Sequence, residues 1–308
     1  MIKVKRCIVC GGGEFYSITD KGRHFSGEVV VECKSCGMVN LSPRMTHVEL
    51  DEYYAQNIFS KQFRGSEIPD EKIISSREKR AEKKLSLIEP YLKMIPEGPI
   101  LEIGCSSGYL LNKIRNKGYK VYGIDPSSGF VQYAKQHYGL KVVTGMFPDA
   151  LPKEWDRKFS MIIALHVLEH TDDPVFVLNS IRNMLMVKNG GLLVLEVPDV
   201  ERVVSMRKYL HNSYFQKSHI WDFSGITIKL LLEKCGFNVF VCKYYSNVSP
   251  DDKNVFLVAG KTNDKLATLE ETKENQSDFA KTLYWRLKYK LLIGKIVTEL
   301  KKMIKSTR

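Results

Sequence analysis

Residues Pro99 to Leu111 read PILEIGCSSGYLL. Ile100, Leu101 and Ile103 form a short apolar run suited to a buried parallel strand, and Gly104, Ser106, Ser107 and Gly108 follow as a small-residue turn opening an amphipathic helix. The two glycines let the backbone bend tightly and approach a ligand, while unpaired N–H groups at the helix start favour an anionic or polar group. The stretch reads as a nucleotide-binding turn between a strand and a helix.

Two acids sharpen that reading. Glu102 stands in the pattern Glu-x-Gly-x-x-x-Gly, and 17 residues past Gly108 the run KVYGID ends a second strand on Asp125. A carboxylate there can accept both ribose hydroxyls of an adenosine, and the Gly-x-Gly-x-x-Gly of a dinucleotide site is absent. On these residues the chain resembles the class I S-adenosylmethionine-dependent methyltransferases, whose turn is usually Glu/Asp-x-Gly-x-Gly-x-Gly; Ser106 replaces the middle glycine. The resemblance implies a cofactor site made by Glu102, Gly104, Cys105, Ser106, Gly108 and Asp125. It adds Met146 and Phe147, from TGMFPDALP, over the adenine face, and Leu165 at the strand end facing the methyl group. Asp149 is either an adenine-side acid or part of an ordinary connection.

The composition fits such a protein. With 308 residues, 44% hydrophobic and 27% charged, the chain has room for one α/β domain plus accessories. No apolar stretch approaches the roughly 20 residues of a membrane-spanning helix, and MIKVKRCIVC is no signal peptide, so a cytoplasmic protein is expected. Residues 281–308 hold nine Lys/Arg against Glu299 alone, which places +8 of the net +12 there and leaves the body mildly basic. A high net charge therefore argues little for nucleic acid.

Cys7-x-x-Cys10 and Cys33-x-x-Cys36 have the spacing of a tetrahedral zinc site, and Gly37 suits the knuckle turn. A zinc ribbon is expected over residues 1–45, with the run Glu28 to Glu32 as a hairpin strand. So small a unit needs its metal to fold, and four cysteines leave no open coordination position, which makes the Zn2+ structural. Cys105, Cys235 and Cys242 are expected as small buried residues. CGMVNLSPRM followed by ELDEYY resembles the entry segment of bacterial zinc-ribbon methyltransferases, many of them found with surface-polysaccharide and antibiotic-sugar pathways.

Beyond the ribbon, residues 46–98 read as a helical connector with a long helix from Glu71 to Met94, its apolar positions at helical spacing. Residues 99–262 alternate strands and helices, the pattern of a doubly wound, Rossmann-like, mostly parallel sheet of seven strands. Residues 263–280 read as a polar linker. Residues 281–308 form a basic amphipathic helix that suits an anionic membrane surface, a partner subunit or its own domain.

The candidate catalytic residues follow the fourth strand. In LHVLEHTDDP, His166, Glu169 and His170 fall at i, i+3 and i+4 and share one side of any helical turn. They are open to three roles: fixing the loop, supplying a histidine base, or binding a divalent cation. The last is weakened because His166 stands where related O-methyltransferases carry Glu. Glu196 borders the substrate side. From Glu201 to Phe223 an aromatic-rich stretch reads as a substrate lid, and within it SHIWDFS resembles the family's His-x-x-x-Phe-Ser, which makes His219 the leading base candidate. Tyr109 and Trp221 are aromatic candidates for a cation–π contact with the sulfonium.

The sequence thus predicts a zinc-ribbon methyltransferase using S-adenosyl-L-methionine. Its expected acceptor is a small molecule or a nucleotide-linked sugar or glycan precursor, with its tail open to peripheral contact at the inner face of the membrane or to a partner subunit. An RNA methyltransferase is the alternative enzyme, although LHVLEH differs from the Asn/Asp-Pro-Pro-Tyr/Phe motif used on adenine amines. A non-catalytic scaffold of the same fold is the alternative from another class.

Overall fold

A computed structural model of the chain describes residues 1–155, 159–186, 190–201, 214–246 and 253–261. The expected linker over 263–280, the basic helix over 281–308 and the first part of the expected lid lie outside the described residues.

The N-terminal cysteine segment folds as three antiparallel strands, β1 (Phe15–Thr19), β2 (Val29–Cys33) and β3 (Val39–Ser42). Cys33 closes β2, and the turn through Cys36 into β3 is made possible by Gly37 at φ +74°, a backbone region that suits glycine. Helix α1 (His47–Ala55) begins with a reciprocal cap: Thr46 accepts from the Glu49 N–H, and the Glu49 side chain accepts from the Thr46 N–H. Helix α2 (Glu71–Leu92) follows the spacing read from the sequence and runs through Pro90.

The remaining elements are β4 (Ile100–Ile103), α3 (Tyr109–Arg115), β5 (Val121–Asp125), α4 (Ser128–Tyr138), β6 (Val142–Thr144), β7 (Met161–Leu165), α5 (Pro174–Met184), β8 (Leu192–Pro198), β9 (Trp221–Asp222), α6 (Gly225–Lys234), β10 (Phe237–Ser246) and β11 (Lys253–Lys261). Seven strands form one sheet in the order β10-β11-β8-β7-β4-β5-β6. Strands β4 to β8 run parallel, and β11 is antiparallel to both β8 and β10. This is the expected doubly wound, mostly parallel sheet. From β4 the chain winds outward to β5 and β6, then returns to the other side at β7, so a crevice opens where the winding reverses, beyond the strands' carboxyl ends.

Alternation along the strands divides the interior. Leu101, Ile103, Ile162 and Ala164 pack on one face with Leu178 and Ile181 of α5 and with Ile228 and Leu231 of α6. Ile100, Met161, Ile163 and Val194 pack on the other with Ile88 and Leu92 of α2 and with Leu111 and Ile114 of α3. The first core continues into the ribbon, where Cys7, Val9, Cys33 and Met38 belong to the same apolar cluster.

Strand β9 joins the ribbon, pairing Val39 with Asp222 and Asn40 with Trp221, so the ribbon sheet has four strands in the order β1-β2-β3-β9. Within the expected lid, Trp221 and Asp222 are therefore held in a sheet. Helix α6 starts where expected, because Ser224 and Thr227 cap each other's backbone N–H groups.

Candidate active site

The Gly104–Gly108 turn has the geometry that its small residues imply. Gly104 lies at φ +74° and Gly108 at φ +73°; a Cβ on Gly104 would meet Val167 at 2.7 Å, and one on Gly108 would overlap Leu140. Ser106 also adopts a left-handed backbone, φ +49°, at the position where the family usually has glycine. Its N–H donates to Asp125 Oδ2 at 2.9 Å, and the Ser127 N–H donates to Oδ1 at 2.8 Å, so the carboxylate is held by the backbone on both oxygens.

A cleft opens beside this carboxylate. Gly104, Ile124, Asp125 and Pro126 form one wall, Met146 and Phe147 another, and His166, Val167, His170 and Thr171 the far end. Tyr54, from the ELDEYY run, and Phe59 reach in from the connector; neither was singled out as a cleft residue from the sequence.

The structure separates the two acids that the sequence paired. Asp125 lines the cleft, whereas Glu102 points beneath the turn, with 6% of its surface exposed and Oε2 buried without a hydrogen-bond partner. Burial, reinforced by the charge of Asp125, raises its pKa well above the usual carboxylate value, against a backbone hydrogen bond from Leu111 that lowers it. Cys105 is likewise buried, and neither Cys105, Ser106, Gly108 nor Leu165 is part of the cleft lining. Both sulfonium candidates are corrected. Tyr109 is 7% exposed and packs against Tyr133 and Tyr138. Trp221 is 1% exposed, donates its indole N–H to Thr171 O and carries the Arg44 guanidinium over its ring. Both aromatics serve the packing. Asp149 sits at the rim, 3.8 Å from His47 Nε2; the same imidazole lies 3.2 Å from Asp172 and 3.4 Å from Asp51.

At the far end, His166, Glu169 and His170 take different environments. His166, at φ +56°, has Nε2 at 2.6 Å from Glu196 Oε1 and Nδ1 at 3.2 Å from Glu169 Oε1. Burial opposes its charge, but the two carboxylates outweigh that and hold its pKa up to about 9. Burial also opposes the charge on Glu196, yet His166 and Lys84 bring its pKa down to about 2. Lys84 of α2 and Tyr245 of β10 both hydrogen-bond Glu196. His166 is thus held toward its charged form between Glu196 and Glu169 while still lining the cleft.

His170 donates from Nδ1 to Ser218 O at 2.8 Å, since a carbonyl can only accept, and Nε2 is then the basic nitrogen. The His219 ring stands edge-on to it at 4.7 Å between centroids, its Nδ1 buried without a partner. Burial lowers the pKa of His219 well below the usual histidine range, helped by the charges of His170, His166 and Arg23, so it is neutral. One ligand atom from each of Glu169, His170 and His219 lies within 4.8 Å of the others, a set of one carboxylate and two imidazoles that suits a divalent cation. The trio foreseen from spacing is changed in one member, with His219 brought in from 49 residues beyond His170 in place of His166.

The four ribbon cysteines come together as their spacing implied. Sγ of Cys7 lies 3.5 Å from Sγ of Cys36, and Sγ of Cys10 lies 3.5 Å from Sγ of Cys33. Tetrahedral zinc with Zn–S bonds of about 2.3 Å sets its sulfurs about 3.8 Å apart, so the arrangement fits the ion. Of the other cysteines, Cys105 and Cys235 are buried and Cys242 is half-buried. Among the described residues no helix is long and apolar enough to cross a membrane.

Comparison with known proteins agrees with the fold. The chain is similar to 1,6-didemethyltoxoflavin-N1-methyltransferase of Burkholderia thailandensis, with a TM-score of 0.56 and 13% identity over 80% of this chain and 100% of that one. It is also similar to magnesium protoporphyrin IX methyltransferase of Synechocystis, with a TM-score of 0.52 and 16% identity over 70% of this chain and 100% of that one. In sequence it is 30% identical over 167 residues to a protein named tRNA U34 carboxymethyltransferase from Aeromonas salmonicida, covering 51% of this chain and 50% of the relative. The protein of the same name from Shewanella amazonensis is 29% identical over 171 residues. The chain spans about half the length of the curated relatives it matches. The profile of the family described as methyltransferase domain covers residues 74–240, more than half of the chain, and the chain belongs to that methyltransferase family.

Proposed function

We propose that the chain transfers a methyl group from S-adenosylmethionine to a hydroxyl group of a small molecule, the sugar of a nucleotide-linked or glycan precursor being the class favoured by its sequence. The cofactor would lie with its ribose on Asp125 and its adenine between Met146 and Phe147, and it supplies an already activated methyl group. The chain's own residues then have two tasks: to hold the acceptor in line with that methyl and to take one proton. His219, with an unpartnered Nδ1, and His170, which lines the cleft, are the base candidates of this reading. His166, held charged between Glu196 and Glu169, fixes the end of the cleft.

The observation that carries the small-molecule reading is charge. The rim holds Asp51, Asp149 and Asp172 around His47, and Glu169 lies buried at the far end with Asp222 close enough to feel its charge. A nucleic-acid backbone entering this cleft would meet carboxylates, as would the phosphates of a nucleotide-linked sugar, whereas the hydroxyl groups of the acceptor sugar itself match them. The second reading, an RNA acceptor, draws on the names of the relatives quoted above. Tritiated S-adenosylmethionine offered with total tRNA and with a low-molecular-weight cell extract separates the two. Label in the small-molecule fraction is expected; nuclease-sensitive label in tRNA would replace this reading with the second.

A further inference from the structure

We propose that the cysteine ribbon is a positioning element for the acceptor end of the cleft, that Trp221 is the positioning residue through which it acts, and that metal loading governs this end and not the cofactor end. The inference rests on the methyl-transfer reading for the naming of the two ends.

The connection can be followed atom by atom. The Cys33 N–H donates to Met38 O at 2.8 Å and the Gly37 N–H to Cys33 O at 2.9 Å, so the second knuckle runs directly into β3. Strand β3 is paired with β9, and the Leu41 N–H extends the pairing to Ile220 O at 3.0 Å. The opposite edge of the same short segment holds the catalytic turn. The Ile220 N–H donates to Glu169 O at 2.8 Å, the Trp221 indole N–H to Thr171 O at 2.7 Å, and Ser218 O accepts from His170 Nδ1 at 2.8 Å. Residues 218 to 222 are thus a strap with the ribbon on one side, the Glu169–Thr171 turn on the other, and His219 within it.

Side chains tighten the strap from the ribbon side. The Arg44 guanidinium stands 5.0 Å over the Trp221 ring, Arg23 donates to Gln216 at 2.7 Å, and Lys217 donates to Ser26 and pairs with the buried Glu28. A strand of two residues has no stability of its own, so β9 exists because β3 is there to pair with it. Where β3 depends on a metal site for its folding, so do the placement of His219 and the tautomer of His170. At the cofactor end the Asp125 carboxylate is held by the Ser106 and Ser127 N–H groups, all within the parallel sheet and its turns, with no ribbon atom among those donors.

The test compares zinc-loaded full-length protein, the same protein after chelation, and Trp221→Phe. Three quantities are read: amide exchange by peptide, S-adenosylmethionine affinity by calorimetry, and the His170 tautomer from imidazole 15N shifts. Chelation should raise exchange in residues 216–223 and 168–171 by about tenfold or more while cofactor affinity stays within about threefold, and zinc should reverse both changes. Trp221→Phe should keep its zinc and its cofactor affinity, raise exchange at 168–171 and mix the Nε2–H tautomer into His170. Exchange changes confined to residues 1–45, or cofactor affinity lost together with the strap, contradict the proposal. So does a Trp221→Phe protein with an unaltered turn and His170 tautomer. Zinc-loaded wild-type protein that fails to bind S-adenosylmethionine would overturn the functional reading instead, and the exchange data would still report on the strap.

Discussion

At the cofactor end of the cleft, Gly104, Asp125 and Met146 follow three neighbouring parallel strands, and the groups that fix Asp125 lie within 19 residues of it. At the acceptor end, His166 and His170 follow one strand, Glu196 another, Lys84 comes from a helix far upstream, and His219 sits on a strap held by the ribbon. The first end is built by local chain turns. The second is an assembly of distant segments, held by buried charge and by a small sheet. The difference says where each end should fail: the cofactor end through its backbone turns, the acceptor end through remote partners.

The largest break should come from removing the metal. A structural zinc site contributes on the order of 10 kcal/mol to the unit it folds. Chelation is therefore expected to abolish amide protection in β1 to β3 while the parallel strands keep theirs, a contrast read by hydrogen exchange. Next comes the buried ion pair. Lys84 and Glu196 have side chains 5% and 0% exposed, so Lys84→Met removes a partner from a buried charge and should cost about 3 kcal/mol in urea unfolding. An unchanged midpoint would show that His166 and Tyr245 satisfy Glu196 without the lysine.

Gly108→Ala attacks the cofactor end in the same way. Its φ of +73° and its closeness to Leu140 predict a loss of about 1–3 kcal/mol, seen in unfolding together with weaker cofactor binding and an unaltered ribbon. The smallest effect concerns the rim. A hydrogen bond donated to Asp172, with the charges of Asp51 and Asp149, raises the pKa of His47 above the usual value of about 6.5. Such a group stabilises fully below that usual value and ceases to as pH rises through its folded pKa, so α1 should exchange faster at alkaline pH. Once the intrinsic base-catalysed rate is divided out, the pH dependence of α1 protection should vanish in His47→Gln.

The same contrast explains what could be read in advance. The strands, the glycine turn and Asp125 were legible because each is written in contiguous residues, with apolar runs punctuated by Gly104 and Gly108. Helix α2 was legible through spacing alone. Strand β9 was not, since two residues carry no periodicity and become a strand only by pairing with β3. Trp221 and Tyr109 read as cofactor-facing aromatics because composition does not tell which side of the chain they face; both are packed away. Glu102 and Asp125 looked equivalent as acids after strands, yet alternation along β4 turns the former beneath the turn. The Lys84–Glu196–His166 network joins residues 112 positions apart, beyond any local pattern.

The measurement closest to the centre of this account is a calorimetric titration of zinc-loaded, full-length protein with S-adenosylmethionine, repeated with Asp125→Ala. Binding at one site per chain is expected for the wild type. Asp125→Ala should bind roughly tenfold or more weakly, as befits the loss of charge-assisted hydrogen bonds, with its ribbon exchange unchanged. Folded wild-type protein that gives no heat and no competition by S-adenosylhomocysteine, or an Asp125→Ala protein that binds as well as the wild type, would contradict the cleft as the cofactor site.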